Sequence, residues 1–236
     1  MNSLSFARPS RLCAAALLLT LAGGCGALFP TTTTPQPSFY SLDSSRGAAP
    51  VSPTAAIRPT VPSVAPTLII NPPHAAAGFD SSRIIYVRET HKLEYFSHNE
   101  WVDTPARMLA PLIVAAVESN GTFRAVVLTP SAAAGDLRLD TEIVRLQHDF
   151  AGQPSRVRFT LRAYIVDNTT RRVLASREFD ESVAAASKDP YGGVVAANRA
   201  VQTVLEQLAG FCANAAGNWQ PPAAEAPKRA EASLGR

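Results

Sequence analysis

The sequence has little cysteine with which to staple a fold: Cys13, Cys25 and Cys212 are its three. Cys13 lies in an N-terminal leader and Cys25 at the leader's cut, so Cys212 stands alone even where the compartment permits disulfides. No internal disulfide is available, and a lone cysteine beside Phe211 in an apolar helical stretch reads first as a small packed hydrophobe. An excess of charge is also missing. Lys and Arg number 22 against 19 Asp and Glu, and removing Arg8 and Arg11 with the leader leaves 20 against 19. A nearly neutral chain without a basic cluster interleaved with aromatics excludes nucleic acid as a partner. The leader's apolar run, Leu12 to Leu21, falls short of the roughly 20 residues a membrane-spanning helix needs. Catalytic signatures are absent too: there is no Gly-x-Ser-x-Gly elbow, no His-Glu-x-x-His helix, no phosphate-cradling glycine loop and no paired metal-ligand spacing. His74, His91, His98 and His148 are scattered over loops and strands, and Asp103 near His98 is a weak acid/base pair at best. These absences favour a non-enzymatic protein without cofactor or metal, over a hydrolase that would depend on a histidine such as His98.

What is present begins at the N-terminus. Arg8 and Arg11 precede the apolar run, and Leu21-Ala22-Gly23-Gly24-Cys25 follows it. A positive n-region, a short h-region and small residues at the cut make a secretory signal over residues 1–24. The last five residues resemble a bacterial lipobox, whose cysteine takes a diacylglyceryl group; the alternative is an ordinary signal peptide that leaves Cys25 free. At about 0.8 kcal/mol per buried CH₂, two or more acyl chains anchor firmly where one does not. Aspartate just after a lipidated cysteine resembles an inner-membrane retention signal, whereas this chain has Gly26-Ala27, so the expected site is the outer membrane facing the periplasm.

Residues 25–66 are rich in Pro, Thr, Ser and Ala, a composition that cannot bury enough apolar surface to offset its ordering entropy, and read as a tether. One aromatic island, Ser38 to Leu42, is a candidate strand that docks on the folded domain. The domain itself spans 67–212, and 213–236 reads as a disordered, Pro/Ala-rich tail. Strands are expected at Thr67–Asn71, Arg83–Arg88 and Lys92–Ser97. Thr104-Pro105 opens a helix as N-cap and first residue, Met108, Leu109, Leu112, Ile113, Ala116 and Val117 mark its buried face, Pro111 should kink it, and Asn120-Gly121 stops it. Thr122–Leu128 is a further strand. Leu137, Leu139, Thr141 and Ile143 then alternate on one face, after which Val144, Leu146 and His148 continue on the opposite face, a one-residue phase shift that predicts a β-bulge near Ile143-Val144. Val157 to Ile165 alternate cleanly, a polar turn at Asp167 to Thr170 leads into Arg172–Asp180, and Asp189-Pro190 caps a helix striped by Val194, Ala197, Val201, Leu205 and Leu208. The expected architecture is a single α+β domain, a mainly antiparallel mixed sheet with two helices packed on one face.

The alternation places Arg156, Arg158 and Arg162 on one side of their strand, able to face anionic headgroups or an acidic partner. Glu178 and Asp180 have the parity to meet them across the hairpin, which favours exposed cross-strand ion pairs instead. Trp101 and Tyr95 complete the partner-binding candidates, because Trp and Tyr are enriched at interfacial hot spots; for Trp101 the equal alternative is packing between a strand and the first helix.

Leu68-Ile69-Ile70-Asn71-Pro72-Pro73, Gly78-Phe79-Asp80-Ser81-Ser82-Arg83-Ile84-Ile85-Tyr86 and Leu93 through Pro105, with its Asn99-Glu100-Trp101, resemble the ABC-type transport auxiliary lipoprotein family over roughly Phe39 to Ala209, and Tyr40-Ser41-Leu42 is similar to that family's first strand. The chain differs by its long Pro/Ala insertion between Leu42 and Thr67. The resemblance implies partners in lipid transport systems built on mammalian-cell-entry domain or paraquat-inducible type proteins, with an inner-membrane permease and ATPase, and it supplies no catalytic motif. A second copy of the chain is a further candidate partner, giving a homo-oligomer. The competing expectation is a structural or assembly lipoprotein of the envelope with no role in transport.

Overall fold

The computed structural model describes residues 36–43 and 65–221. Its organising element is β7, Leu137–Asp149, whose two edges are used differently. One edge pairs antiparallel with β8, Arg156–Asp167, which in turn pairs antiparallel with β9, Val173–Ala184. Along the other edge three short strands take successive places, all parallel to it: β2 (Thr67–Ile70) beside Leu137 to Leu139, β3 (His74–Ala75) beside Glu142 and Ile143, and β4 (Arg83–Val87) beside His148 and Asp149. Beyond them, β6 (Ala125–Leu128) pairs parallel with β2, and β5 (Glu94–Trp101) pairs antiparallel with β4. The island docks as β1, Ser38–Tyr40, parallel to β5. The nine strands form one mixed, open sheet in which the longest ladders are antiparallel.

The bulge lies where the phase shift put it, with the β7–β8 register slipping between Ile143 and Arg145. Its effect corrects one expectation. By absorbing a residue it returns Leu146 and His148 to the buried face already occupied by Leu139 and Ile143, instead of sending them to the opposite one.

Helix α1, Pro105–Ser119, starts on Pro105, where a missing N–H costs nothing, and runs through Pro111, which sits on its exposed side. Thr104 occupies the N-cap without a side-chain cap bond. Asn120 and Gly121 close the helix, with Gly121 at φ 65, a conformation glycine adopts without strain. Helix α2, Pro190–Gly217, is capped by the Asp189 carboxylate, which accepts the Gly192 N–H at 2.7 Å and is held below the usual carboxylate range chiefly by that bond. Val194, Ala197, Val201, Leu205 and Leu208 all lie in the core, shared with α1 and with Phe159, Leu161 and Phe179 of the sheet. α2 also outlasts the expected domain boundary at 212: it runs to Gly217, and Trp219 then donates its indole N–H to Asp167 at 2.9 Å.

Candidate functional site

Even-numbered residues of β8 point away from the helices, so Arg156, Arg158 and Arg162 share the open face of the sheet. Arg162 meets Glu178 at 2.8 Å on one neighbouring strand and Glu142 at 3.1 Å on the other. Arg158 meets Asp180 at 3.2 Å, and Thr160 donates its hydroxyl to the same carboxylate at 2.6 Å, which with the arginine holds Asp180 below its ordinary pKa. The cross-strand pairs expected from parity are therefore formed. Arg156 differs: it donates to Ser182 Oγ at 2.9 Å and to the Ser182 carbonyl at 2.7 Å, with no carboxylate partner among the described residues.

Tyr95 and Trp101 stand on one strand but in different surroundings. Tyr95 is exposed on β5, with the Arg83 guanidinium over its ring at 4.8 Å from the centroid. Trp101 is only 4% exposed and belongs to the core cluster. Burial takes it off the surface, which agrees with the packing alternative.

A residue that sequence reasoning passed over sits where the N-terminal segment meets the domain. Asn198, 9% exposed on the apolar side of α2, accepts the Asp43 backbone N–H at 2.8 Å and donates to the Ser41 carbonyl at 3.1 Å. Val102 donates its N–H to the Tyr40 carbonyl at 2.8 Å, and Leu42 enters the core. The segment that leads from Cys25 is thereby clamped at residues 40–43. The signal in the sequence is a single Asn one helical turn from Val194, inside an otherwise apolar stripe. Cys25 itself lies outside the described residues.

Groups capable of chemistry are dispersed. His74, His91 and His98 are exposed, and the Asp103 expected near His98 instead accepts the Thr104 N–H at 2.7 Å and pairs with Arg107 at 3.3 Å. His148 is buried, its Nε2 2.9 Å from Ser155 Oγ and its ring stacked 4.1 Å from Phe150, and burial lowers its pKa. Cys212 is buried against apolar neighbours, which pushes its thiol up to about 12 and leaves it without thiolate character near neutrality. Among the described residues no group of three His, Cys, Asp or Glu side chains is placed to hold a metal ion, and no helix is long and apolar enough to cross a membrane.

Comparison with known proteins places this arrangement. The family described as ABC-type transport auxiliary lipoprotein component matches residues 47–209. The crystal structure of a Xanthomonas campestris protein aligns with 67% of this chain and 90% of its own length, at a TM-score of 0.61 and 27% identity. A second solved structure, of an uncharacterized protein, aligns with 76% of this chain and 97% of its own, at a TM-score of 0.54 and 12% identity, and shows a shared fold alone. No curated protein matches the chain by sequence.

Proposed function

We propose that this chain, which belongs to the ABC-type transport auxiliary lipoprotein family, is a non-catalytic accessory subunit of an ABC-type system that moves lipid between the two membranes of a Gram-negative envelope. It is anchored by acyl chains on Cys25, faces the periplasm from the outer membrane, and acts through contacts of its folded domain with the permease, the ATPase-bearing complex or a mammalian-cell-entry or paraquat-inducible type partner. The observation that carries this reading is the coincidence of the family match, residues 47–209, with the sheet and helices that follow a lipobox-like leader. Dispersed titratable groups support a role in binding over one in catalysis.

Of the residues considered for partner contact, Tyr95, Arg156, Arg158 and Arg162 are accessible and form the proposed contact face; Trp101 is buried in the core and is not part of it. Crosslinking in intact cells followed by purification of the tagged chain tests the proposal. Recovery of a transporter subunit, reduced by alanine at Tyr95 or Arg156 without loss of folding, is the expected result. A chain that is recovered alone overturns it.

A further inference from the structure

We infer that the outer edge of β9 pairs with the same edge of a second copy of this chain, as an antiparallel two-fold ladder centred on Phe179. β9 is hydrogen-bonded to β8 along one edge, and among the described residues no strand pairs with its other edge. Such an edge presents a row of unpaired N–H and C=O groups. Natural edges are blunted by proline, by charged side chains and inward-pointing charges, by bulges or by short length. β9 has twelve residues and contains no Pro, Gly or Lys, and its one register irregularity is at its start, before Ala175; the protection it does carry is charge, at Arg177, Glu178, Asp180 and Glu181, which repels a strand of the wrong register and admits one of complementary charge. From Ala175 to Ala184 it offers about 30 Å of regular edge.

The charges on β9 select the occupant. Glu178 and Asp180, on the open face, are neutralised by Arg162 and Arg158 of the adjoining strand. Arg177 and Glu181 lie on the other face with Phe179, and neither has an ion-pair partner among the described residues; Arg177 rests its guanidinium 4.9 Å from the Phe179 ring centroid. They are spaced equally on either side of Phe179. A two-fold axis through that position sets each Arg177 opposite Glu181 of the other copy, forming two opposite-charge cross-strand pairs with Cβ atoms about 5 Å apart. The same register puts Ser176 opposite Ser182 and Ala175 opposite Val183. It also sets Glu178 opposite Asp180, where the two bridging arginines offset the repulsion.

Other registers are worse. A slip of one residue turns the core-facing side of one copy toward solvent. A slip of two in either direction loses both Arg177–Glu181 pairs and sets Glu178 or Asp180 against its own copy. The proposed ladder is thus specified by charge and by face.

The test uses the full-length chain in the membranes of expressing cells. Two differently tagged copies, one Ser176→Cys and the other Ser182→Cys, are joined by thiol oxidation. The mixed crosslink should exceed like-with-like crosslinks by about tenfold, because identical positions lie about 20 Å apart in this register. Glu181→Arg should reduce it about tenfold by replacing two attractive pairs with repulsive ones, and Arg177→Glu combined with Glu181→Arg should restore it. A missing mixed crosslink, equal like-with-like yields, or indifference to Glu181→Arg overturns the inference. So does a wild-type chain that stays monomeric in detergent at the highest workable concentration, a readout that needs no variant to fold.

Discussion

Asn198 holds Asp43 by its backbone, accepting its N–H at 2.8 Å while giving its own amide hydrogens to the Ser41 and Val194 carbonyls at 3.1 Å each. One side chain thus satisfies three backbone groups and fixes the point at which the N-terminal segment joins α2. Replacing it with Ala leaves the Asp43 N–H and the Ser41 carbonyl without this partner, while the Val194 carbonyl keeps its helical bond, at a cost of about 1–3 kcal/mol. Asn198→Ala should lower the denaturant midpoint and speed amide hydrogen exchange at Asp43 and Val102, with little change on β8. Unchanged exchange at Asp43 would show that β1 docks without the clamp.

A second close approach lies at the start of α2. A Cβ at Gly193 would stand 2.7 Å from His148 Nδ1, and the ring cannot retreat easily because Ser155 and Phe150 hold it from other sides. Alanine in a helix interior normally adds about 1 kcal/mol of stability over glycine. Here overpacking outweighs it at about 1–3 kcal/mol, so Gly193→Ala should be net destabilising in chemical denaturation. Gly210→Ala makes the control, since nothing lies within 4 Å of the added carbon and propensity alone should act.

His148 also gives the domain a pH dependence whose sign follows from its burial. Its Nδ1 has no hydrogen-bond partner among the described residues, and desolvation lowers the folded pKa below the ordinary 6.5, against the opposing charges of Asp149 and Asp189. Once the pH falls below about 6.5 the unfolded chain binds a proton that the folded chain refuses. Stability is therefore complete above that value and declines as the pH falls toward the folded pKa. Asp167, Asp180 and Asp189, all depressed by hydrogen bonds, lose their contributions only at lower pH, as they are protonated. Thermal unfolding between pH 7.5 and 5 should show a falling midpoint in the wild type and a flatter line in His148→Gln. Parallel lines would remove His148 as the cause.

The parts of this fold legible in the sequence are those governed by local periodicity. The alternation in Leu137–Ile143 and Val157–Ile165, the bulge beside Val144 and the two proline-headed helices each depend on neighbours a few residues apart, and each is present in the structure. What escaped reading is non-local. Nothing in Thr67–Ile70, His74–Ala75 and Arg83–Val87 announces that three strands share one edge of β7, because parallel pairing is set by chain crossovers. The last turn of α2 was missed for a different reason: Ala213 to Gly217 resembles tail composition, and only the Trp219–Asp167 bond shows why it stays packed. At the surface, parity found the arginine pairs, whereas the burial of Trp101 depends on the non-local assembly of the core, which no spacing encodes.

Cys25 carries the prediction that separates anchoring from folding. Its role rests on Leu21-Ala22-Gly23-Gly24-Cys25, 18 residues before the clamp at Asp43 and within the stretch whose composition reads as a tether. Cys25→Ala should therefore leave the unfolding midpoint of the domain unchanged while moving the protein from the membrane pellet to the soluble periplasmic fraction, because loss of two or more acyl chains removes the dominant partition energy. Metabolic labelling with a radioactive fatty acid should mark the wild type and fail on the variant. Separation of inner and outer membranes before blotting then decides the finer point that Gly26-Ala27 raises: recovery of the wild type wholly in the inner membrane would refute outer-membrane placement and leave lipidation standing.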